Sequence, residues 1–321
     1  MSVEQSSDLA SRLRMVQRPP ARVRMPPASL GLRVKTSMWT RRLLPTTVVV
    51  DRAARKGRGL WPDSAWWRED ARAAMMPVIA GTSWGLRLEE VAREYLVERE
   101  ACNALFWQPW ARARVDEQSL LRFKQALAGE RGVLLSASHL GPYFQISAIL
   151  AALDCTPYGI VGSWFLEQPS HDNWGRRLAR WHKGLGKARL VPARGSFPVV
   201  RALLSQGECV VVFFDMPGHR PTRFLGKPAM LADGTARLAI DSDALVLPIR
   251  LRRRGHHVCL DVAEALDPRE YADVEELHEA LARLHERWIL EFPAAMSDPR
   301  SFGWEQGAAA HAWATPDRGA D

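Results

Sequence analysis

From residue 116 onward, two patterns of apolar and polar positions alternate along the chain. Short apolar runs predict buried strands, and they are VLLSASH, YGIVGSW, ARLVPAR, ECVVVFFD, ALVLPIRLR and HHVCLDVAE. The last two runs, ALVLPIRLR and HHVCLDVAE, are expected to form a hairpin. Because strands and helices alternate, we expect an α/β fold with a mostly parallel central sheet and helices on both faces. Sites in such folds lie at the carboxyl ends of the strands.

The intervening segments carry apolar residues at helical spacing. They predict helices over SLLRFKQALAGERG, YFQISAILAALDC, DNWGRRLARWHKGLG, FPVVRALLSQG, GTARLAIDSD and VEELHEALARLHERWILEFP. Pro142 suits the first turn of the second of these helices. The stretch between Asp215 and Gly234 is rich in Gly and Pro, and it predicts a loop.

Residues 38–115 differ because they are rich in Trp, and LRLEEVAREYLVEREACNALFW has helical periodicity. We expect a helical N-terminal layer there. Its Trp rings fit either core packing or a belt at a membrane interface. Residues 1–37 combine Arg and Pro without periodicity and predict a basic flexible arm. The α/β domain is expected over 116–305, followed by a tail at 306–321.

Charge is distributed unevenly over the 321 residues, whose net charge is +8. Residues 1–60 hold thirteen Lys/Arg against three acids, net +10, so the remaining residues sum to −2. A second basic block, net +8, lies at 172–227. The arm is either a solvated tail or an anchor for an anionic membrane surface. Because the body is near neutral and lacks a nucleic-acid-binding motif, we expect no nucleic-acid partner.

Four cysteines are scattered without metal-binding spacing, so free thiols in a reducing compartment are expected. No apolar stretch reaches the roughly 18 residues that a membrane span needs, and the first residues do not resemble a secretory signal. We therefore expect a cytoplasmic protein, soluble or peripheral on the inner face of the cell membrane. No histidine pattern indicates a metal, and no cofactor is expected.

Two residues stand where α/β proteins place reactive groups. His139 follows the VLLSAS strand, and Asp215 ends VVVFFD. Each also has an ordinary interpretation: His139 as a structural histidine, and Asp215 as a turn or cap residue. A histidine with an acidic partner is what general-base activation of a hydroxyl or amine requires. Ser138 is discounted as a nucleophile, because adjacent strand residues point to opposite faces and no GxSxG is present.

The ordered series RGVLLSASHLGPYF, ARLVPARGSFPVVRALLSQGECVVVFFDMPG and FLGKPAMLADGTARLAIDSDALVLPI resembles the bacterial lauroyl/myristoyl acyltransferases of lipid A synthesis. These enzymes belong to the lysophospholipid acyltransferase superfamily. The resemblance covers roughly residues 86–305. It implies a glycerolipid-acyltransferase-like fold in which His139 is the catalytic base that deprotonates an acceptor attacking an acyl thioester.

The resemblance also suggests binding residues. The oxyanion of the tetrahedral intermediate needs donors, which backbone amides at the Gly141 turn or a basic side chain could supply. Phosphates of the donor or of a lipid head group could be met by Arg194, Arg223 and Lys227, with Arg189 as a further candidate. His219 and Arg220, which follow Asp215, could line the same opening.

Phe144 departs from the family pattern, which has Asp or Glu four residues after the histidine. Phenylalanine cannot hold the imidazole tautomer or stabilise imidazolium. Gln145 can hydrogen-bond, and so is a candidate binding residue, but it cannot ionise. Three explanations stay open: Asp215 or another acid takes the role, an easier acceptor such as an amine needs no acid, or the protein is inactive.

The sequence therefore predicts an acyltransferase that moves an acyl group from acyl-CoA or acyl carrier protein to a hydroxyl or amine of a lipid or specialised metabolite. The alternative is an inactive protein of the same fold that binds acyl carrier protein, acyl chains or membrane. The expected partners are the thioester donor, a lipid or small-molecule acceptor, and an anionic membrane surface.

Overall fold

The computed structural model describes residues 43–106, 108, 113–162, 189–297 and 299–304. The predicted basic arm (1–37), the basic helix DNWGRRLARWHKGLG and the tail (306–321) lie outside the described residues.

Among the described residues, three α-helices form the N-terminal layer, as the Trp-rich region predicted: α1 (Thr46–Asp63), α2 (Ala65–Ile79) and α3 (Leu88–Phe106). They do not have a core of their own. Buried residues of α2 and α3 pack in one cluster with residues of the central sheet, and Trp61, Trp67 and Trp84 pack against that cluster. Trp84 also donates its indole N–H to the Leu290 carbonyl at 2.9 Å. These rings serve core packing, whereas Trp66 is 62% exposed.

In the part of the chain that the structure describes, seven strands form the central sheet in the order β1-β9-β8-β2-β5-β3-β4. All neighbouring pairs are parallel except β8 and β9, which form the predicted antiparallel hairpin. The strands are β1 (Ala113–Val115), β2 (Val133–Ala137), β3 (Tyr158–Val161), β4 (Arg189–Pro192), β5 (Cys209–Phe213), β8 (Leu245–Arg254) and β9 (His257–Val262). The mostly parallel sheet is thus confirmed. The short strand β1, which pairs with β9, was not predicted.

Helices cover both faces of the sheet. They are α4 (Glu117–Leu127), α5 (Ile146–Ala152), α6 (Phe197–Leu204), α7 (Gly234–Ser242) and α8 (Val274–Glu291). Alternate residues of one strand enter different cores: Leu134 packs with α6, α7 and α8, whereas Leu135 packs with α4 and α5. Strands buried on both faces read as continuous apolar runs, which explains the sequence pattern.

The segment after Asp215 is an antiparallel hairpin, so the predicted loop is wrong. Strand β6 (Pro217–Phe224) and strand β7 (Lys227–Leu231) are joined by a turn at Leu225 and Gly226. Both turn residues have positive φ, 55° and 74°, as the tight two-residue connection of a hairpin requires. The Gly and Pro residues that suggested a loop are tolerated because this two-stranded ribbon lies outside the central sheet.

Strands β2 and β5 are neighbours, and their register positions the site. Val133 lies opposite Cys209, and Ala137 lies opposite Phe213. Continuing this register by two residues brings His139 opposite Asp215. Within the described residues, no helix is long and apolar enough to cross a membrane.

Candidate active site

His139 and Asp215 are joined by two hydrogen bonds at the carboxyl edge of the sheet. The backbone N–H of His139 donates to Asp215 Oδ2 at 2.8 Å, and His139 Nδ1 lies 2.9 Å from Asp215 Oδ1. One carboxylate therefore fixes both the backbone and the ring of the same histidine. The sequence located each residue, and the structure brings the two together.

The burial of the pair is unequal. Asp215 is fully buried, whereas the His139 side chain keeps 17% of its surface exposed. An ionised carboxylate can only accept a hydrogen bond from Nδ1, so the neutral ring carries its hydrogen on Nδ1. The lone pair then sits on Nε2, where an incoming acceptor would meet it. This arrangement can perform general-base chemistry.

Aromatic rings surround the imidazole. Phe213 stacks on it with ring centres 4.2 Å apart, Tyr143 meets it edge-on at 4.8 Å, and Phe302 lies at 5.1 Å. None of the three was identified from sequence. Phe213 ends β5 and Tyr143 follows the Gly-Pro turn, so both stood next to identified positions. Phe302 lies more than 150 residues away along the chain and carries no local signal.

The segment after α8 holds both residues of the pair through their backbones. Ser297 N–H donates to the His139 carbonyl at 2.8 Å, and the Trp304 indole N–H donates to the Asp215 carbonyl at 2.8 Å in a buried position. Trp304 also stacks on Phe302 with ring centres 5.2 Å apart. This C-terminal contact fixes the two strand ends relative to each other, and sequence reasoning missed it.

Gly141 has a structural task that occupies its amide. Its N–H donates to the Ala295 carbonyl at 2.8 Å, so this amide is not available as the oxyanion donor that the sequence suggested. Its φ is +61°, and a Cβ added there would collide with the carbonyl oxygen of Leu251. Glycine is therefore required for the close approach of the turn to β8.

Phe144, where the resemblance expects an acid, and Gln145 beside it are not the residues that hydrogen-bond to the His139 ring, which pairs with Asp215. Phe144 packs against Tyr143 and Phe106, with ring centres 4.0 and 4.9 Å away. Gln145 is buried and donates Nε2 to the backbone carbonyls of Leu105 at 2.6 Å and Gln108 at 3.1 Å. Its amide thus ties the first turn of the site to the end of α3.

Ser138 points away from the site. Its hydroxyl lies 2.8 Å from Nδ1 of the fully buried His285, whose Nε2 lies 2.9 Å from the Ser136 hydroxyl. Burial lowers the pKa of His285 to about 4, although the nearby Asp215 carboxylate acts in the opposite direction. The imidazole is therefore neutral and bridges β2 to α8, and Ser138 is committed to that bridge.

The basic candidates lie at several places around the same edge. Arg194 is exposed in the turn between β4 and α6, and β3 separates β4 from β5 in the sheet. Arg189 contacts the ring and hydroxyl of Tyr158. Arg223 is exposed on the β6–β7 hairpin, and Lys227 pairs with the buried Phe224 next to the turn. Since strand residues alternate, Arg223 and Lys227 project from opposite faces of the hairpin.

His219 and Arg220, which follow Asp215, lie in different environments. Arg220 is engaged by Asp233 at 3.1 Å and by Glu275 at 3.5 Å, and His219 is exposed. The hairpin is anchored to α8 by Thr222, whose hydroxyl lies 2.8 Å from Nε2 of the buried His278. Arg220 thus helps to attach the hairpin, and its charge is already balanced by acids.

No protein-family model matches the chain, and no curated protein matches it. Among solved structures, it is similar to the crystal structure of the 1-acyl-sn-glycerophosphate (LPA) acyltransferase PlsC from Thermotoga maritima. The TM-score is 0.38 and the identity 17%, over 68% of this chain and 94% of that chain. A similarity of this degree does not establish the function of the chain.

Proposed function

We propose that this chain is an acyltransferase of the lysophospholipid acyltransferase superfamily. It would move an acyl group from the thioester of acyl-CoA or acyl carrier protein to a hydroxyl or amine of a lipid or specialised metabolite. The observation that carries the proposal is the 2.9 Å contact between His139 Nδ1 and Asp215 Oδ1 at the carboxyl edge of two adjacent parallel strands. The resemblance of the surrounding sequence supplies the reaction class.

In the proposed reaction, His139 Nε2 accepts the proton of the acceptor hydroxyl or amine while its oxygen or nitrogen bonds to the thioester carbonyl carbon. The carbonyl electron pair moves to oxygen and gives a tetrahedral oxyanion. When the C=O bond re-forms, the C–S bond breaks, and the leaving thiolate takes the proton from the imidazolium. Every proton is returned, so no cofactor is needed.

Asp215 is proposed as the acid that the family pattern places four residues after the histidine. Its carboxylate keeps the proton on Nδ1 before the reaction and stabilises the imidazolium that forms during it. This favours the first of the three explanations for Phe144. Because Ser138 is committed to His285, the proposal contains no acyl-serine intermediate, and the acceptor attacks the thioester directly.

The exposed Arg194 and Arg223 are proposed to meet phosphates of the donor or of an acceptor head group, since guanidinium pairs well with phosphate. Both lie on segments that follow the carboxyl ends of strands. Lys227 remains a candidate for the same role from the other face of the hairpin. These contacts would concern substrate binding, and the proton transfer would stay with His139.

The test is a thiol-release assay with mass spectrometry of the acyl products. The donors are acyl-CoA, acyl carrier protein and a short thioester without phosphate, and the acceptors are mixed lipids and amines. We expect the wild type to turn over, and His139→Ala to lose at least about 100-fold in rate, the lower bound for a general base. His257→Ala, at the first residue of β9, is the matched control and should keep full activity.

Two outcomes would contradict the mechanism: thiol release from none of the donors, or a His139→Ala variant as active as the wild type. The alternative function, an inactive protein that binds acyl carrier protein or acyl chains, would be supported if the chain bound these partners without turnover. A difference in rate between donors with and without phosphate would show separately whether the basic residues bind the donor's phosphates.

A further inference from the structure

Two cysteines meet at the amino edge of the sheet, away from the candidate active site. The sulfur atoms of Cys155 and Cys209 lie 3.8 Å apart. Cys209 is the first residue of β5, and Cys155 lies three residues before β3, the strand that pairs with β5 through Tyr158 and Val210. Both side chains face the core on the α4–α5 side. The pair is therefore set by the sheet and is not an accident of one loop.

The geometry needs only a small movement to form a bond. A disulfide requires the sulfur atoms to approach to about 2.05 Å, which rotation of the side chains and a small shift of one backbone can supply. Cys209 is fixed within β5, between β2 and β3. Cys155 lies outside the strands, in the connection between α5 and β3, so any backbone shift falls on this side of the pair.

The chemistry of the pair is asymmetric. When one proton is lost, the remaining S–H donates to the thiolate, and this contact lowers the pKa of Cys155 despite its burial. The same contact, together with burial and the nearby Glu208 carboxylate, raises the pKa of Cys209. Because the thiolate is the nucleophile in disulfide exchange, Cys155 is the sulfur that reacts first.

The connection that holds Cys155 borders solvent on both sides of the cysteine. Asp154 and Thr156, on either side of Cys155, are exposed. A groove of about 420 Å³ between α4 and the end of α5 includes Leu153 and Asp154 in its walls. Cys155 itself is buried, whereas Cys209 is partly exposed. The proposal therefore requires a local opening of the connection that holds Cys155, and the sheet stays folded.

We propose that Cys155 and Cys209 are a dithiol site that is oxidised to an intramolecular disulfide by a low-molecular-weight disulfide such as oxidised glutathione. The Cys155 thiolate attacks one sulfur of the reagent, which forms a mixed disulfide and releases one glutathione thiolate. The Cys209 sulfur then loses its proton, attacks the Cys155 sulfur and releases the second glutathione. Two protein thiols are oxidised, and one disulfide is reduced to two thiols. This site is independent of the proposed acyl transfer.

The test uses the full chain with Cys102→Ser and Cys259→Ser, so that only the pair remains. After oxidised glutathione is added, we expect intact mass spectrometry to show the loss of two hydrogens, and the count of titratable thiols to fall from two to none. Peptide mapping should find Cys155 linked to Cys209, and the oxidised protein should unfold at the same or a higher temperature, since the bond constrains the unfolded chain.

The matched controls carry one further substitution. Adding Cys209→Ser should leave a stable glutathione adduct on Cys155, whereas adding Cys155→Ser should slow the reaction, because burial and the Glu208 carboxylate still disfavour the Cys209 thiolate after the contact with Cys155 is gone. Two glutathione adducts on the pair, or two thiols that stay free, would overturn the proposal. So would a bond that appears only in urea, because it would then belong to the unfolded chain.

Discussion

Two imidazoles lie on the two sides of the end of β2, and their surroundings differ. His139 faces a buried carboxylate and keeps part of its ring exposed, whereas His285 approaches the other side of the strand, is fully buried, and lies between two hydroxyl groups. Both rings are held by good hydrogen bonds. The partner and the access to solvent make the difference: a carboxylate stabilises a protonated ring, and two serines in the core do not. One ring is suited to move a proton and the other to connect α8 to the sheet.

The largest expected effect comes from removing the carboxylate that distinguishes the two rings. In Asp215→Asn, the side chain has one acceptor oxygen, and it faces two donors of His139, the backbone N–H and Nδ1–H. If the oxygen serves the backbone, the amide N–H₂ faces Nδ1 and favours the tautomer with its proton on Nε2. That tautomer cannot act as the base. We expect acyl transfer to fall about 10³- to 10⁴-fold.

The control for this prediction is Asp233→Asn, which removes a carboxylate that pairs with Arg220 and Arg237 and not with His139. It should retain activity within a few-fold. Both variants should keep a wild-type circular dichroism spectrum. An active Asp215→Asn enzyme would show that the carboxylate only holds the strand end, and the comparison between the two imidazoles would then lose its chemical meaning.

The second prediction concerns His285, whose removal should lower stability and leave activity largely intact. His285→Ala leaves a cavity and removes the partners of the Ser136 and Ser138 hydroxyls in the core. We expect a loss of about 3 kcal/mol in the free energy of unfolding, measured with urea. Activity per folded molecule should stay within about tenfold, because His139 and Asp215 keep their own contacts, whereas general-base loss costs far more.

A compensated variant shows whether the loss comes from unsatisfied hydroxyls. Adding Ser136→Ala and Ser138→Ala to His285→Phe removes all the polar groups together, and we expect part of the lost stability to return. If His285→Ala were as stable as the wild type and yet inactive, His285 would belong to the reacting machinery. Its role as a brace between α8 and β2 would then be wrong.

The sequence located both His139 and Asp215, but it left their pairing as one of three alternatives. His139 and Asp215 each follow a strongly apolar strand, which is a local signal. Their contact depends on β2 and β5 being neighbours with one register, and no local pattern records the order of strands. Trp304 was missed for the same reason, since its indole reaches Asp215 from a segment 89 residues further along the chain.

Other differences between the predictions and the structure concern backbone hydrogen bonds. The β6–β7 hairpin was predicted as a loop because its Gly and Pro residues disfavour strands in the middle of a sheet, and a separate ribbon does not impose that restriction. The Gly141 amide suggested an oxyanion donor because only local sequence was considered. The segment that occupies it, near Ala295, lies across the fold.

The smallest expected effect is the pH dependence that the buried ring adds to stability. The pKa of His285 is about 4 in the folded protein and about 6.5 when unfolded, because burial opposes the charged form. A lowered folded pKa gives a contribution that is complete above about pH 6.5 and is lost as the pH falls towards 4. Between pH 7 and pH 5, it amounts to about 2 kcal/mol.

This contribution is measured as a difference between two proteins. Urea unfolding of the wild type should lose about 2 kcal/mol more between pH 7 and pH 5 than unfolding of His285→Gln, which keeps a polar side chain and cannot titrate. His278 acts in the same direction in both, since burial and Arg220 lower its pKa to about 4 despite Asp233 and Glu279. Carboxylates with lowered pKa, such as Asp267 at about 2, respond only at lower pH. Equal pH dependence in the two proteins would mean that the His285 ring is hydrated or charged in the fold, and the contrast with His139 would fail.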